Sequence, residues 1–180
     1  MINKIYEILL THNRPLTLRE LIFFIIILSA VSLIFYILLK KNKLKKFQIM
    51  TGELLLFFIF VVLSSTVLTR MPDKERLYKL VPFWSWKEVI RGDMKLLEEN
   101  LLNVILLFPF GFLLPFAFYR KISWYKALLA GLIFSFFIEI SQLILCRGTF
   151  EWDDMIHNSL GAMIGCIIAN NIFEKILENK

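Results

Sequence analysis

Apolar residues along this 180-residue chain come in blocks separated by short polar stretches. Five blocks, 21–39, 52–68, 101–118, 124–145 and 155–173, approach the ~20 residues that cross a bilayer core as helix. The last is the most polar. Ahead of them, Ile2, Ile5, Tyr6 and Leu9 recur at helical spacing and predict a short interfacial helix. Pro15 interrupts it, and Thr17 with Glu20 forms a capping box for the first span. The pattern therefore predicts an all-α, polytopic membrane helix bundle of about five transmembrane helices, organised as one domain over 1–180. The one long connection is 70–99, with seven Lys/Arg, six Asp/Glu and the apolar patch VPFWSW at 81–86. Trp84 and Trp86 suit the headgroup boundary.

Composition agrees. Apolar residues make up 58% of the chain, with 18 Phe, against roughly 45–50% in soluble domains. The first block ends in KKNKLKK with no small-residue cleavage site, so it is expected to persist as a helix. The net charge of +6 sits beside apolar blocks, where topology and anionic headgroups explain it. No basic folded module suggests nucleic acid. Cys146 and Cys166 lack metal or redox spacing and read as free thiols. Loop 40–51 carries five lysines and no acid, whereas 146–154 carries one Arg and three acids. Positive-inside counting then puts 40–51, 119–123 and the C-terminus in the cytoplasm. The N-terminus, 70–99 and 146–154 face outward.

Alternating the spans sorts the polar residues by side. Asn103, Glu139, Gln142, Arg147, Glu151, Asp153, Asp154 and Asn158 all map to one leaflet, with Ser64, Ser65, Thr66 and Thr69. The opposite leaflet is expected to hold almost nothing polar except Glu53. Ser135, Glu139 and Gln142 share one helix face, as do Asp154, Asn158, Gly161 and Gly165. Gly161-x-x-x-Gly165 lets another backbone approach closely. A carboxylate at Glu139 is costly in hydrocarbon, about 2.5–3.5 kcal/mol at a helix centre. Protonation or a cation would offset that cost, and Arg147 is the nearest candidate cation on that side. A buried structural network is the competing explanation. Pro109, Gly111 and Pro115 in the third span mark either a packing kink or a cavity wall. Asp153 and His157 are spaced i, i+4, but two ligands do not make a zinc site. No metal and no cofactor is expected.

The ordered set Asn103…Pro109-x-Gly111…Pro115, Ser135…Glu139-x-x-Gln142 and Arg147…Asp153-Asp154-x-x-x-Asn158-x-x-Gly161-x-x-x-Gly165 resembles the VanZ-like family of small bacterial membrane proteins. The likeness is strong over about 100–170 and loose in the first two spans. Leu107 stands where phenylalanine is frequent, Glu151 where aspartate is usual, and His157 where an apolar residue is typical. The resemblance implies a plasma-membrane location and a link to teicoplanin-type glycopeptide resistance. It also implies a functional set of Asn103, Glu139, Gln142, Arg147, Asp153, Asp154 and Asn158, with no catalytic role attached. Three functions follow as expectations. The first is binding or modulation of an amphiphile, a lipid-linked wall precursor or a lipoglycopeptide antibiotic, in an outward polar pocket roofed by 81–86. The second, less favoured, is an intramembrane enzyme acting on a lipid or lipid-linked phosphate, with Glu139 as acid or base. The third is transport, which would need a homo-oligomer built on Gly161 and Gly165.

Overall fold

A computed structural model describes residues 13–41 and 43–178, with side chains to Lys175. The interfacial helix expected over 2–10 lies outside the described residues. The elements are α1 (Leu18–Lys40), α2 (Lys46–Leu63) continuing into a π turn (Ser64–Leu68), β1 (Leu77–Lys79), α3 (Trp84–Ile90), α4 (Met94–Phe118), α5 (Trp124–Leu145), β2 (Thr149–Glu151) and α6 (Trp152–Glu178). Five helices are long and apolar enough to cross a membrane. The chain is a multi-pass membrane protein.

Two of the long helices open on a side-chain cap. Thr17 accepts from Glu20 N at 3.3 Å while Glu20 Oε2 accepts from Thr17 N at 2.8 Å, the expected capping box. Asp93 caps α4 by accepting from Lys95 N at 3.0 Å, so α4 starts at Met94 rather than Leu101. Those added turns are polar and lie beyond the apolar block, where hydropathy gives no signal. Pro109 and Pro115 both sit inside the continuous α4. Cys146 closes α5 in the left-handed conformation, at φ 51°.

The bundle is organised around α4 against α6, its most extensive helix pair. A Cβ at Gly161 would collide with the Val104 carbonyl, one at Gly165 with the Phe108 carbonyl, and one at Gly111 with the Ala162 carbonyl. The two backbones are therefore in direct contact, where dispersion and interhelical hydrogen bonds replace the hydrophobic effect. The small-residue face of α6 is thus occupied within the chain by α4, and no longer offers itself as a homo-oligomer seam. α2 and α5 close round this pair, burying Val62, Val67, Leu107, Phe110, Leu114, Ile138, Ala162 and Cys166. Both cysteines are free. By contrast, α1 buries no residue and leans mainly on α2, through a Phe24–Phe60 stack and Ser32 Oγ donating to Glu53 at 2.9 Å.

The lysine-rich end is more polar inside than expected. Asn170 clasps the α4–α5 turn, accepting from Ile122 N at 3.1 Å and donating to Ile122 O at 2.7 Å. It pairs backbone groups that a tight turn leaves open.

Gly161→Ala should destabilise the folded protein by about 1–3 kcal/mol, because backbone cannot retreat as a side chain can. Gly52→Ala meets only the Phe35 ring and should cost less. Thermal unfolding of the two variants in detergent checks the order.

Candidate functional site

The site begins with the π turn. Widening α2 over Ser64–Leu68 leaves Thr69 N bonded back to Ser64 O at 2.9 Å. It also presents three carbonyls sideways, and their partners come from elsewhere. Gln142 Nε2 donates to Thr66 O at 3.0 Å. Arg147 Nη1 donates to Val67 O at 3.2 Å and to Leu68 O at 2.7 Å. Arg14 Nη2 donates to Leu68 O at 2.9 Å and pairs with Glu20 at 2.5 Å. Two guanidinium groups thus share the Leu68 carbonyl. A third follows at Arg70, whose backbone bridges to Asn13.

Arg147 therefore is not the counter-charge of Glu139. The left-handed residue at Cys146 turns the chain so that Arg147 N returns to Gln142 O at 2.9 Å. The side chain is thereby aimed at the end of α2. Arg70 takes the expected role: it is the arginine that interacts electrostatically with both Glu139 and Asp154. Its guanidinium lies so close over Gly148 that a Cβ there would strike Nη1. Gly148, at φ 140°, meets both the steric and the conformational demand. Among the described residues nothing hydrogen-bonds to the Arg70 side chain, and it closes no ion pair within 4.0 Å.

Glu139 is 2% exposed and accepts from Glu151 N at 2.9 Å, so α5 holds β2 through a buried carboxylate. Half-buried Asp154, one turn above Asn158, accepts from Asn103 Nδ2 at 2.6 Å, tying α4 to α6. Asn158 Nδ2 donates to Ser135 Oγ at 2.8 Å, tying α6 to α5. Asn158 Oδ1 is buried without a partner among the described residues. The predicted face Ser135–Glu139–Gln142 is wholly buried. All seven residues of the expected set lie at one end of the bundle, and each bonds across to a different element.

Asp153 organises the loop above them. Its carboxylate, 1% exposed, accepts from Phe83 N at 2.5 Å, Ser85 N at 2.9 Å and Ser85 Oγ at 2.5 Å. It thereby caps α3 from another element, as an acid suits a helix N-terminus. Asn100 Nδ2 supports Ser85 Oγ at 3.2 Å. Trp84 Nε1 donates to Glu151 at 3.0 Å, and Lys79, over the Trp84 ring, pairs with Glu151 at 3.1 Å. Trp86 Nε1 donates to His157 Nε2 at 2.8 Å. β1 pairs in parallel with β2, Tyr78 opposite Phe150. The 70–99 connection is thus a docked cap, and 81–86 covers the start of α6.

Sequence reasoning missed Arg70, Ser85 and Asn100 as members of this site, and it set His157 aside. Arg70 had a signal: it closes the second apolar block on the leaflet where the polar set gathers. Ser85 and Asn100 had none, because their meaning comes from Asp153. Among the described residues no three His, Cys, Asp or Glu side chains are grouped to hold a metal.

A family model described as VanZ/LLP1 matches residues 53–174, from α2 through most of α6. No curated protein and no solved structure gives a significant match.

Asp153→Ala removes three hydrogen bonds to α3 and should loosen the cap by about 1–3 kcal/mol. The expected signs are faster hydrogen exchange over 77–92 and a shifted emission from Trp84 and Trp86. Unchanged exchange in this segment would show that the cap is held by other contacts.

Proposed function

Because the chain belongs to the VanZ/LLP1 family, we propose that it is an envelope membrane protein that binds the anionic headgroup of an amphiphile at its extracytoplasmic face. The amphiphile is a lipid-linked wall precursor or a lipoglycopeptide antibiotic of the teicoplanin type. What carries this reading is the meeting of Arg14 and Arg147 on the Leu68 carbonyl at the last turn of α2, with Arg70 two residues further on and its donors unspent among the described residues.

Guanidinium groups gathered on one carbonyl repel each other, and a phosphate or carboxylate among them relieves that repulsion. Planar donors suit bidentate binding of such groups. Glu139 and Asp154 hold Arg70 electrostatically without closing an ion pair, so among the described residues its donors are open to a ligand. The docked cap brings Lys79, Trp84 and Trp86 to the same end. Indole rings suit the boundary between headgroup and tail. The charge asymmetry of the loops supports an outward orientation in the plasma membrane.

Binding of undecaprenyl diphosphate, uncharged undecaprenol, teicoplanin and the tail-less glycopeptide vancomycin to the protein in nanodiscs tests this reading. The anionic lipid and teicoplanin should bind, and the other two should bind weakly. Arg70→Ala should weaken the first two by roughly 10–100-fold, the worth of a hydrogen bond to a charged group. Arg147→Lys should combine weaker binding with lower stability, since Arg147 also satisfies backbone. If Arg70→Ala binds every probe like wild type, the proposal fails.

A second reading rests on Glu139 and Asp154, two carboxylates close enough to repel one another electrostatically. Such a pair suits general acid–base work on a lipid-linked phosphate. Release of phosphate from lipid pyrophosphates by wild type, lost in Glu139→Gln, would establish it. No release with EDTA or with added divalent metal would exclude it.

A further inference from the structure

The π turn has a second face, turned away from the acidic cluster. There a cavity of about 330 Å³ opens between the start of the described chain and the outer side of α2. Asn13, Ser64, Ser65 and Thr69 supply its polar wall, and Phe60 and Val61 part of its apolar wall. We propose that this cavity binds the neutral, hydroxyl-bearing headgroup of a membrane lipid, a glycerol or a sugar.

The hydrogen-bond inventory sets the ligand class. The Ser65 hydroxyl is donated to Val62 O at 3.1 Å, and the Thr69 hydroxyl to Ser64 O at 2.7 Å. Both oxygens keep only lone pairs for the cavity. Asn13 Oδ1 is an acceptor and is buried without a partner among the described residues. Ser64 Oγ is likewise unpartnered, in a residue only 7% exposed. The wall thus offers three acceptors, one hydroxyl free to give or take and the Asn13 amide N–H group, a mixed set that suits a hydroxyl, which both gives and takes. Among the described residues no charged side chain lines the cavity, and an ion there would be desolvated without a counter-charge.

Size and position narrow the class further. The volume is at the lower end of the range for small-molecule sites, about 300–1,000 Å³. It is far more than the ~30 Å³ share of one structural water. Val61 is 43% exposed on an apolar span, so the cavity is reached from the lipid side. A π turn is the backbone feature that opens it, and such turns gather at functional sites. Among the described residues its wall presents no cation, which sets it apart in chemistry from the anion site at Arg70.

Native mass spectrometry of the full chain, titrated with defined lipids, tests the assignment. Dioleoylglycerol and a monoglycosyl diacylglycerol should bind, whereas dioleoylphosphatidylcholine, with no headgroup donor, should not compete. Ser64→Val and Asn13→Leu should each weaken binding roughly tenfold, as loss of one buried hydrogen bond implies. Val61→Trp, which fills the cavity without touching a polar group, should do the same while keeping the thermal stability of wild type. Ser141→Ala, whose hydroxyl is spent on Phe137 O, should bind the hydroxyl lipids normally. Free glycerol or glucose binding as tightly as the lipids would overturn the lipid assignment. Hydroxyl lipids binding no better than phosphatidylcholine, or all three cavity variants binding like wild type, would overturn the site altogether.

Discussion

Backbone carbonyls in hydrocarbon must find donors, and that demand organises the outer end of this protein. The π turn at Ser64–Leu68 breaks the self-sufficiency of α2. Its exposed carbonyls draw in Gln142 from α5, Arg147 from the following turn, and Arg14 from the segment before α1. Those three contacts fix where the α5–α6 turn sits. They therefore fix Gly148, and with it the space that the Arg70 guanidinium occupies. The cationic cluster is thus a by-product of backbone satisfaction: arginine is recruited as a donor and arrives with a charge.

A second constraint acts from the other side. The glycine contacts between α4 and α6 bring the two backbones together, and that approach lets Asn103 reach Asp154 at 2.6 Å. Position then separates the two neighbouring acids of α6. Asp153 faces the cap and spends its carboxylate on Phe83 and Ser85, whereas Asp154 faces α4 and the Arg70 field. One anchors the cap and the other ties α4 to α6 beside Arg70, although in sequence they form a single acidic pair.

Much of this was legible in the sequence because hydrophobic blocks and helical periodicity are local properties. The five spans, the Thr17–Glu20 box and the buried Ser135–Glu139–Gln142 face need only spacing to be seen. The gathering of polar residues at one end follows from counting alternate spans. What escaped depends on partners distant in sequence. Three-residue strands such as β1 and β2 carry too little periodicity to register. α3 is seven residues long and capped by Asp153 from outside, so no capping residue announces it. Serine and threonine within Ser64–Thr69 suggested polarity but not a π turn, since a widened turn is set by what pairs with its carbonyls. The Arg147 assignment failed for a related reason. Nearness in sequence favoured Glu139, but bare carbonyls competed for the same donors and won.

That competition bears on how a headgroup would be read. Arg147 and Arg14 are already bonded to backbone, so an anion meeting them must share donors or displace contacts that hold the turn together. Arg70 carries no such commitment among the described residues, and its two carboxylate neighbours keep it in place at a distance. A ligand anion would therefore form its strongest new bonds at Arg70, with the flanking guanidinium groups adding field more than geometry. Substitution of Arg147 removes donors that hold the turn together, whereas substitution of Arg70 removes no hydrogen bond found among the described residues, only a charge beside Glu139 and Asp154. The residue outside the expected set is for that physical reason the sharper probe of what the set is for.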